Sequence, residues 1–128
     1  MRTIPGPDEL LEVVAEFLRT TDSDHPRGDA AFHARVAANA IEIVRRELAQ
    51  GAAADRAAAD RIRHLLGPSG GGIIELESRL SAEIRTGRLD ARSPGLLEHL
   101  WKTTLAEMSI DQPGYATYRL VLKAAPKL

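Results

Sequence analysis

Residues 29–51 read DAAFHARVAANAIEIVRRELAQG, and this stretch decides the fold class. Its apolar side chains recur at helical spacing and cover about half of the helix circumference at 100° per residue. So wide an apolar arc predicts a central helix that contacts two or more neighbouring helices. The arc consists of Phe32, Val36, Ala37, Ala40, Ile41, Ile43, Val44 and Leu48. Gly51 is expected to end the helix, because glycine best tolerates the left-handed conformation of a C-cap.

Helical periodicity continues on both sides of this stretch. Residues 8–20 predict a helix before it. The pentad AAADR, written twice over residues 52–61, predicts a helix after it that ends at Gly67-Pro68. Two more helices are expected, one from Ile73 to about Gly87 and one from Ser93-Pro94, where the hydroxyl caps the first turn. Residues 115–122 fit a sixth, short helix, with a strand as the alternative.

These elements predict an all-α fold, an antiparallel bundle of five to six helices that forms a single domain over residues 1–128.

The burial of two side chains can also be predicted from the sequence. Asn39 projects beside Phe32, so we expect it to be at least half buried and hydrogen-bonded, as buried amides are. Trp101 shares a helix face with several leucines and is expected to be the main aromatic anchor of the core.

Composition excludes several classes of protein. The chain has 128 residues with 44% hydrophobic and 27% charged residues, a net charge of −1 and no cysteine. Thiol catalysis and thiolate zinc sites are therefore excluded. No apolar run approaches the roughly 20 residues of a membrane span, and no apolar stretch follows Arg2 as in a secretory signal. The balanced charge gives no reason to expect nucleic acid. We expect a cytoplasmic protein, and the excess of alanine and arginine over lysine fits a bacterial genome.

No catalytic, metal or cofactor site can be assigned from the pattern of residues. The four histidines are scattered, and none stands in a Glu-x-x-His or His-x-x-x-His pattern, the ligand spacing of metal sites in helical bundles. Glu98 and His99 could form an acid–base pair. Since adjacent helical residues point about 100° apart, their proximity in sequence is weak support for catalysis.

One polar stripe is the best candidate for a contact with a ligand or partner. Arg35, Asn39, Glu42 and Arg46 recur along one face of the central helix. The favoured alternative is a solvated face with an ion pair between Glu42 and Arg46, four residues apart. Arg85 is a fifth candidate contact, although positive charge near a helix C-terminus is also explained by the helix dipole.

Three segments resemble a family of small, uncharacterised bacterial helical domains. They are RVAANAIEIVRREL at 35–48, LSAEIRTGRLD at 80–90 and DQPGY at 111–115. Members of that family are found beside or fused to aminoglycoside-phosphotransferase-like proteins, with acyl-CoA dehydrogenases nearby. The resemblance implies an accessory to a phosphotransferase-like or acyl-CoA-handling enzyme. It supplies no catalytic residues, and the chain lacks the His-Arg-Asp and Asp-Phe-Gly motifs of a kinase.

Three functions follow as hypotheses. The first is a non-catalytic helical interaction module for a phosphotransferase-like protein or an acyl-CoA dehydrogenase. The second is a small-ligand-binding bundle for an acyl or CoA-type molecule, with Arg35, Asn39 and Arg46 at the polar end. The third and weakest is an enzyme that uses His99 or Glu98. Because the apolar helix faces exceed what a small bundle needs, we also expect association, with a two-fold homodimer as the default.

Overall fold

The computed structural model describes residues 7–20 and 29–124, and every regular element within them is an α-helix. The helices are α1 (Pro7–Thr20), α2 (Asp29–Leu66), α3 (Ile73–Arg85), α4 (Leu96–Asp111) and α5 (Ala116–Ala124). The all-α prediction is confirmed for this part of the chain, and the last segment is a helix. None of these helices combines the length and apolar character needed to cross a membrane. Residues 21–28, between α1 and α2, lie outside the described residues.

Helix α2 does not end at Gly51, so that prediction is wrong. The helix runs for 38 residues, and the predicted second and third helices are one element. A glycine inside a helix costs only about 1 kcal/mol relative to alanine, and the two alanine-rich pentads after Gly51 favour continuation. The true end lies at Gly67, which has φ of 91° and donates its N–H to the carbonyl of Arg63 at 2.9 Å.

Contacts within the chain define two compact units, Met1–Gln50 and Gly51–Leu128. In the described part of the first unit, the fully buried side chains are small, those of Ala15 and Ala38. Charge pairing supplements this packing. Arg45 donates from Nε and Nη2 to the carboxylate of Asp8 at 2.8 and 3.3 Å, and its Nη1 donates to Glu42. The hydrogen bond from Arg45 lowers the pKa of Asp8 below its usual value.

The second unit has an aliphatic core. Ile62 of α2 and Leu76 of α3 are its largest completely buried side chains. Ala59, Leu80 and Leu96 complete the buried cluster, and Leu65, Leu66, Ile73 and Leu89 pack against it. Helices α2, α3 and α4 therefore meet around one core, which fixes the C-terminal part of α2 beside the start of α4.

Helix α4 begins later than the sequence pattern predicts. Its first residue is Leu96, and Gly95 is the N-cap with φ of 87° in the left-handed region. The Ser93 hydroxyl does not cap the helix but accepts a hydrogen bond from the backbone N–H of Asp90 at 2.9 Å. Ser93-Pro94 thus belongs to the turn before α4, and the predicted start is wrong by two residues.

Candidate functional site

A cavity of about 200 Å³ lies between the C-terminal part of α2 and the start of α4, inside the second unit. Most of the side chains that line it are polar or charged. Its lining consists of Arg61, His64 and Leu65 from α2 and of Pro94, Gly95, Glu98, His99 and Lys102 from the start of α4 and the turn before it. The volume is below the roughly 300–1,000 Å³ of pockets for drug-sized ligands. A CoA-sized molecule therefore does not fit inside it.

His99 is the buried polar residue at this cavity, with 4% of its surface exposed. Arg61 donates from Nε to His99 Nδ1 at 3.1 Å and from Nη2 to the hydroxyl of Thr103 at 3.1 Å. Because a guanidinium only donates hydrogen bonds, His99 Nδ1 is the acceptor. The ring proton of neutral His99 is therefore on Nε2, which makes Nε2 a hydrogen-bond donor at the cavity.

Burial lowers the pKa of His99 below 6.5, because desolvation disfavours the charged ring, and the positive charge of Arg61 adds to this effect. At neutral pH the ring is consequently neutral. In the unfolded chain the same ring titrates near its ordinary value of 6.5. As the pH falls below that value, the unfolded state binds a proton that the folded state resists, so folding stability is lost.

We therefore expect the free energy of unfolding of the natural chain to fall more steeply below pH 6.5 than that of a His99→Gln variant. Glutamine preserves a polar side chain without a titrating ring. Arg61, His64, Glu98 and Lys102 line the same cavity in both proteins, so their contributions cancel in the comparison. Urea unfolding at a series of pH values measures the two slopes. If stability fell with pH equally in the two proteins, the lowered pKa of His99 would be contradicted.

The other charged groups at the cavity form their own pairs. Lys102 donates to Glu98 at 2.6 Å, and this hydrogen bond lowers the pKa of Glu98. His64 lies 2.7 Å from the carbonyl of Asp60 through Nδ1, which requires a proton on that nitrogen. Glu98 and His99 therefore line one cavity, but their hydrogen bonds are with Lys102 and Arg61 and not with each other.

The start of α4 also faces this cavity through Gly95 and Glu98. No side-chain hydrogen bond caps this end of the helix. A Cβ on Gly95 would lie 3.4 Å from Leu65 Cδ2. Glycine at this position therefore tolerates the left-handed N-cap conformation and also allows α2 to pack close to the start of α4. The first-turn N–H groups of such a helix carry partial positive charge.

The stripe predicted as a contact site lies on α2 in the first unit, and none of its residues lines the cavity. Glu42 pairs with Arg45 at 3.1 Å and with Arg19 at 3.4 Å. Arg35 is exposed and Arg46 partly buried, and both are already engaged in interactions. Asn39 is exposed, which lends no support to the expectation that its side chain is at least half buried. The structure does not bring these residues together around a described cavity.

Arg85, the fifth predicted contact, is exposed in the last turn of α3 and does not line the cavity. Sequence reasoning missed Arg61, Lys102 and Thr103. Arg61 lies in the second AAADR pentad, and its counterpart in the first pentad, Arg56, is exposed. The two copies are identical in sequence, so only the packing of α4 against the second copy distinguishes them.

A second feature of α4 is an apolar face on the side away from its buried residues. Leu97, Leu100 and Trp101 are 57%, 41% and 53% exposed. Their spacing of three and four residues places them on one helix face, whereas Leu96, His99 and Ile110 are buried on the other side. Trp101 is therefore not the aromatic anchor of the core, and that prediction is wrong. We refer to Leu97, Leu100 and Trp101 as the α4 face.

Comparison with known proteins shows which family the chain matches. Residues 24–115 match the family described as "Domain of unknown function (DUF6285)". The chain belongs to this family. No curated protein and no solved structure matches it. The matched segment contains the whole of α2, α3 and α4, so the cavity and the α4 face both lie within the family's own region.

Metal ligation finds no support in the described part of the chain. There, no group of three or more histidine, aspartate or glutamate side chains is placed so that it could hold a metal ion. The histidines at the cavity, His64 and His99, each have a hydrogen bond to protein atoms instead.

Proposed function

We propose that this protein is a non-catalytic helical accessory module that binds a partner protein through the α4 face. The observation that carries the proposal is the exposure of Trp101 together with Leu97 and Leu100. Contiguous apolar patches are uncommon on the free surface of soluble proteins and mark interaction sites. Tryptophan is also enriched among the residues that dominate binding energy at protein interfaces.

The core of the second unit explains why the α4 face is left uncovered. Leu96 fills the space between α2 and α3 from one side of α4. On the opposite side of the helix, Trp101 keeps 53% of its surface exposed. A partner that supplies an apolar groove for Trp101 would remove this surface from water, at roughly 25 cal/mol per Å² buried.

The first unit offers apolar surface of the same kind. Val13 and Phe17 of α1 are 67% and 66% exposed, four residues apart on one helix face. On α2, Phe32 and Val36 are 58% and 49% exposed with the same spacing. Exposed apolar stripes on several helices support a binding role for the chain more than a role confined to one pocket.

The class of partner comes from the resemblance described above, and it is part of the proposal. We propose a phosphotransferase-like protein or an acyl-CoA dehydrogenase, in the cytoplasm of a bacterium. The alternative of an acyl or CoA-type ligand held by Arg35, Asn39 and Arg46 has less support. Two of these side chains already have interactions, and none of the three lines the cavity between α2 and α4.

The test is co-expression of the chain with a phosphotransferase-like protein and, separately, with an acyl-CoA dehydrogenase from the same genome. We expect a complex with one of them at micromolar concentration, measured by light scattering coupled to size exclusion. Trp101→Ser should weaken it by about 30-fold or more, as loss of an interface hot spot does. Ile74→Ser is the matched control, because Ile74 is 78% exposed on α3 and lies outside the α4 face.

Two outcomes would overturn the proposal. One is the absence of a complex with either enzyme. The other is a complex that Trp101→Ser and Ile74→Ser leave equally intact. A mass of twice 13.9 kDa for the chain alone, lost on Trp101→Ser, would identify a second copy as the occupant of the α4 face and would also overturn the partner assignment.

A further inference from the structure

We propose that the cavity between α2 and α4 binds a short-chain carboxylate, with its charged end at Arg61, His99 and the start of α4. This site is separate from the α4 face and does not depend on the proposed interaction. The donors around the cavity, its net charge and its size all favour such a ligand.

Hydrogen-bond donors converge on the cavity. His99 is 4% exposed, and its Nε2–H has no acceptor among the described residues, because the hydrogen bond to Arg61 uses Nδ1. Among the described residues, the buried side-chain atom without a partner is Ser69 Oγ and not His99 Nε2. Nε2 is therefore accessible from the cavity and can donate to a bound acceptor atom. The N-terminus of α4 adds backbone N–H groups without a side-chain cap. Together with the part of the Arg61 guanidinium not used by His99 and Thr103, these groups favour an anion.

The net charge of the cavity lining favours a ligand with a single negative charge. Arg61 and Lys102 are positive, Glu98 is negative and paired with Lys102, and His99 is neutral. The net charge of +1 is balanced by one carboxylate but exceeded by a phosphate dianion. The Glu98 carboxylate would also repel a dianion more strongly than a monoanion.

The size and the apolar wall limit the rest of the ligand. A volume of about 200 Å³ has room for about six water-sized groups, which is the number of non-hydrogen atoms in a four-carbon carboxylate. Leu65 and Pro94 provide apolar surface in the same cavity. A short hydrocarbon tail can contact these two side chains while the carboxylate accepts hydrogen bonds from His99 and Arg61.

The test is titration of the full chain with sodium butyrate, followed by the NMR signals of the His99 ring and of the Leu97 and Glu98 backbone amides. We expect saturating shifts of these signals, and weaker binding of inorganic phosphate at equal ionic strength. Arg61→Gln should abolish the shifts, whereas Arg56→Gln, the same change in the other pentad on an exposed side chain, should preserve them.

Two further variants keep the test decisive where loss of Arg61 perturbs folding. Glu98→Gln removes a negative charge from the cavity and should tighten butyrate binding about fivefold, whereas Lys102→Met should weaken it by about the same factor. The proposal is overturned by shifts that do not saturate, by tighter binding of phosphate than of butyrate, or by effects of the same sign in these two variants.

Discussion

Leu76→Ala is expected to lower the free energy of unfolding of the second unit by about 2–5 kcal/mol, the range for large-to-small changes in well-packed cores. Leu76 is completely buried and belongs to the cluster with Ile62 and Leu80. The substitution removes three buried side-chain carbons and leaves a cavity between α2 and α3. Urea denaturation followed by far-ultraviolet circular dichroism measures the change.

The matched control lies two residues earlier on the same helix. Ile74 is 78% exposed, so Ile74→Ala removes an aliphatic side chain of the same size from water-facing surface. Its effect on the free energy of unfolding should stay within about 0.5 kcal/mol. Similar losses for the two variants would show that α3 does not present Leu76 to the core.

A proline at Ala52 is expected to destabilise the protein by about 3 kcal/mol or more. Ala52 lies inside the continuous helix α2 and is exposed, so the cost comes from the lost helical hydrogen bond and the clash of the proline ring with the preceding turn. If the helix ended at Gly51, Ala52 would instead be the first residue of a new helix, where proline fits well.

Ala116→Pro is the control for this experiment. Ala116 is likewise an exposed alanine, but it is the first residue of α5. Proline at that position should change the thermal midpoint only slightly. Equal tolerance of proline at Ala52 and Ala116 would contradict the continuity of α2.

The helical class could be predicted because the period of the apolar residues is a local property of the chain. The end of α2 could not, because the signal at Gly51 and the helix propensity of the alanine pentads oppose each other. Packing can outweigh a glycine penalty of about 1 kcal/mol, and Gly51 is buried in the folded chain. Whether the helices form the expected antiparallel bundle stays a prediction.

The candidate site was harder to predict than the helices. Helix α4 is apolar on two sides, so its sequence pattern does not indicate which side meets the core. The periodicity grouped Trp101 correctly with Leu97 and Leu100, but the buried side is that of Leu96 and His99. Likewise, the adjacent pair Glu98 and His99 suggested acid–base chemistry, whereas each side chain binds a different cation.

The position of Trp101 has a practical consequence, because it is the single tryptophan in the chain. All indole fluorescence of the protein originates on the α4 face, with a side chain 53% exposed. The emission of the free chain should therefore lie near that of tryptophan in water and be readily quenched by iodide. A ligand in the cavity between α2 and α4 should leave this signal nearly unchanged, whereas a molecule that covers the α4 face should shift it to shorter wavelength. The protein thus carries its own optical reporter for one of its two proposed binding sites.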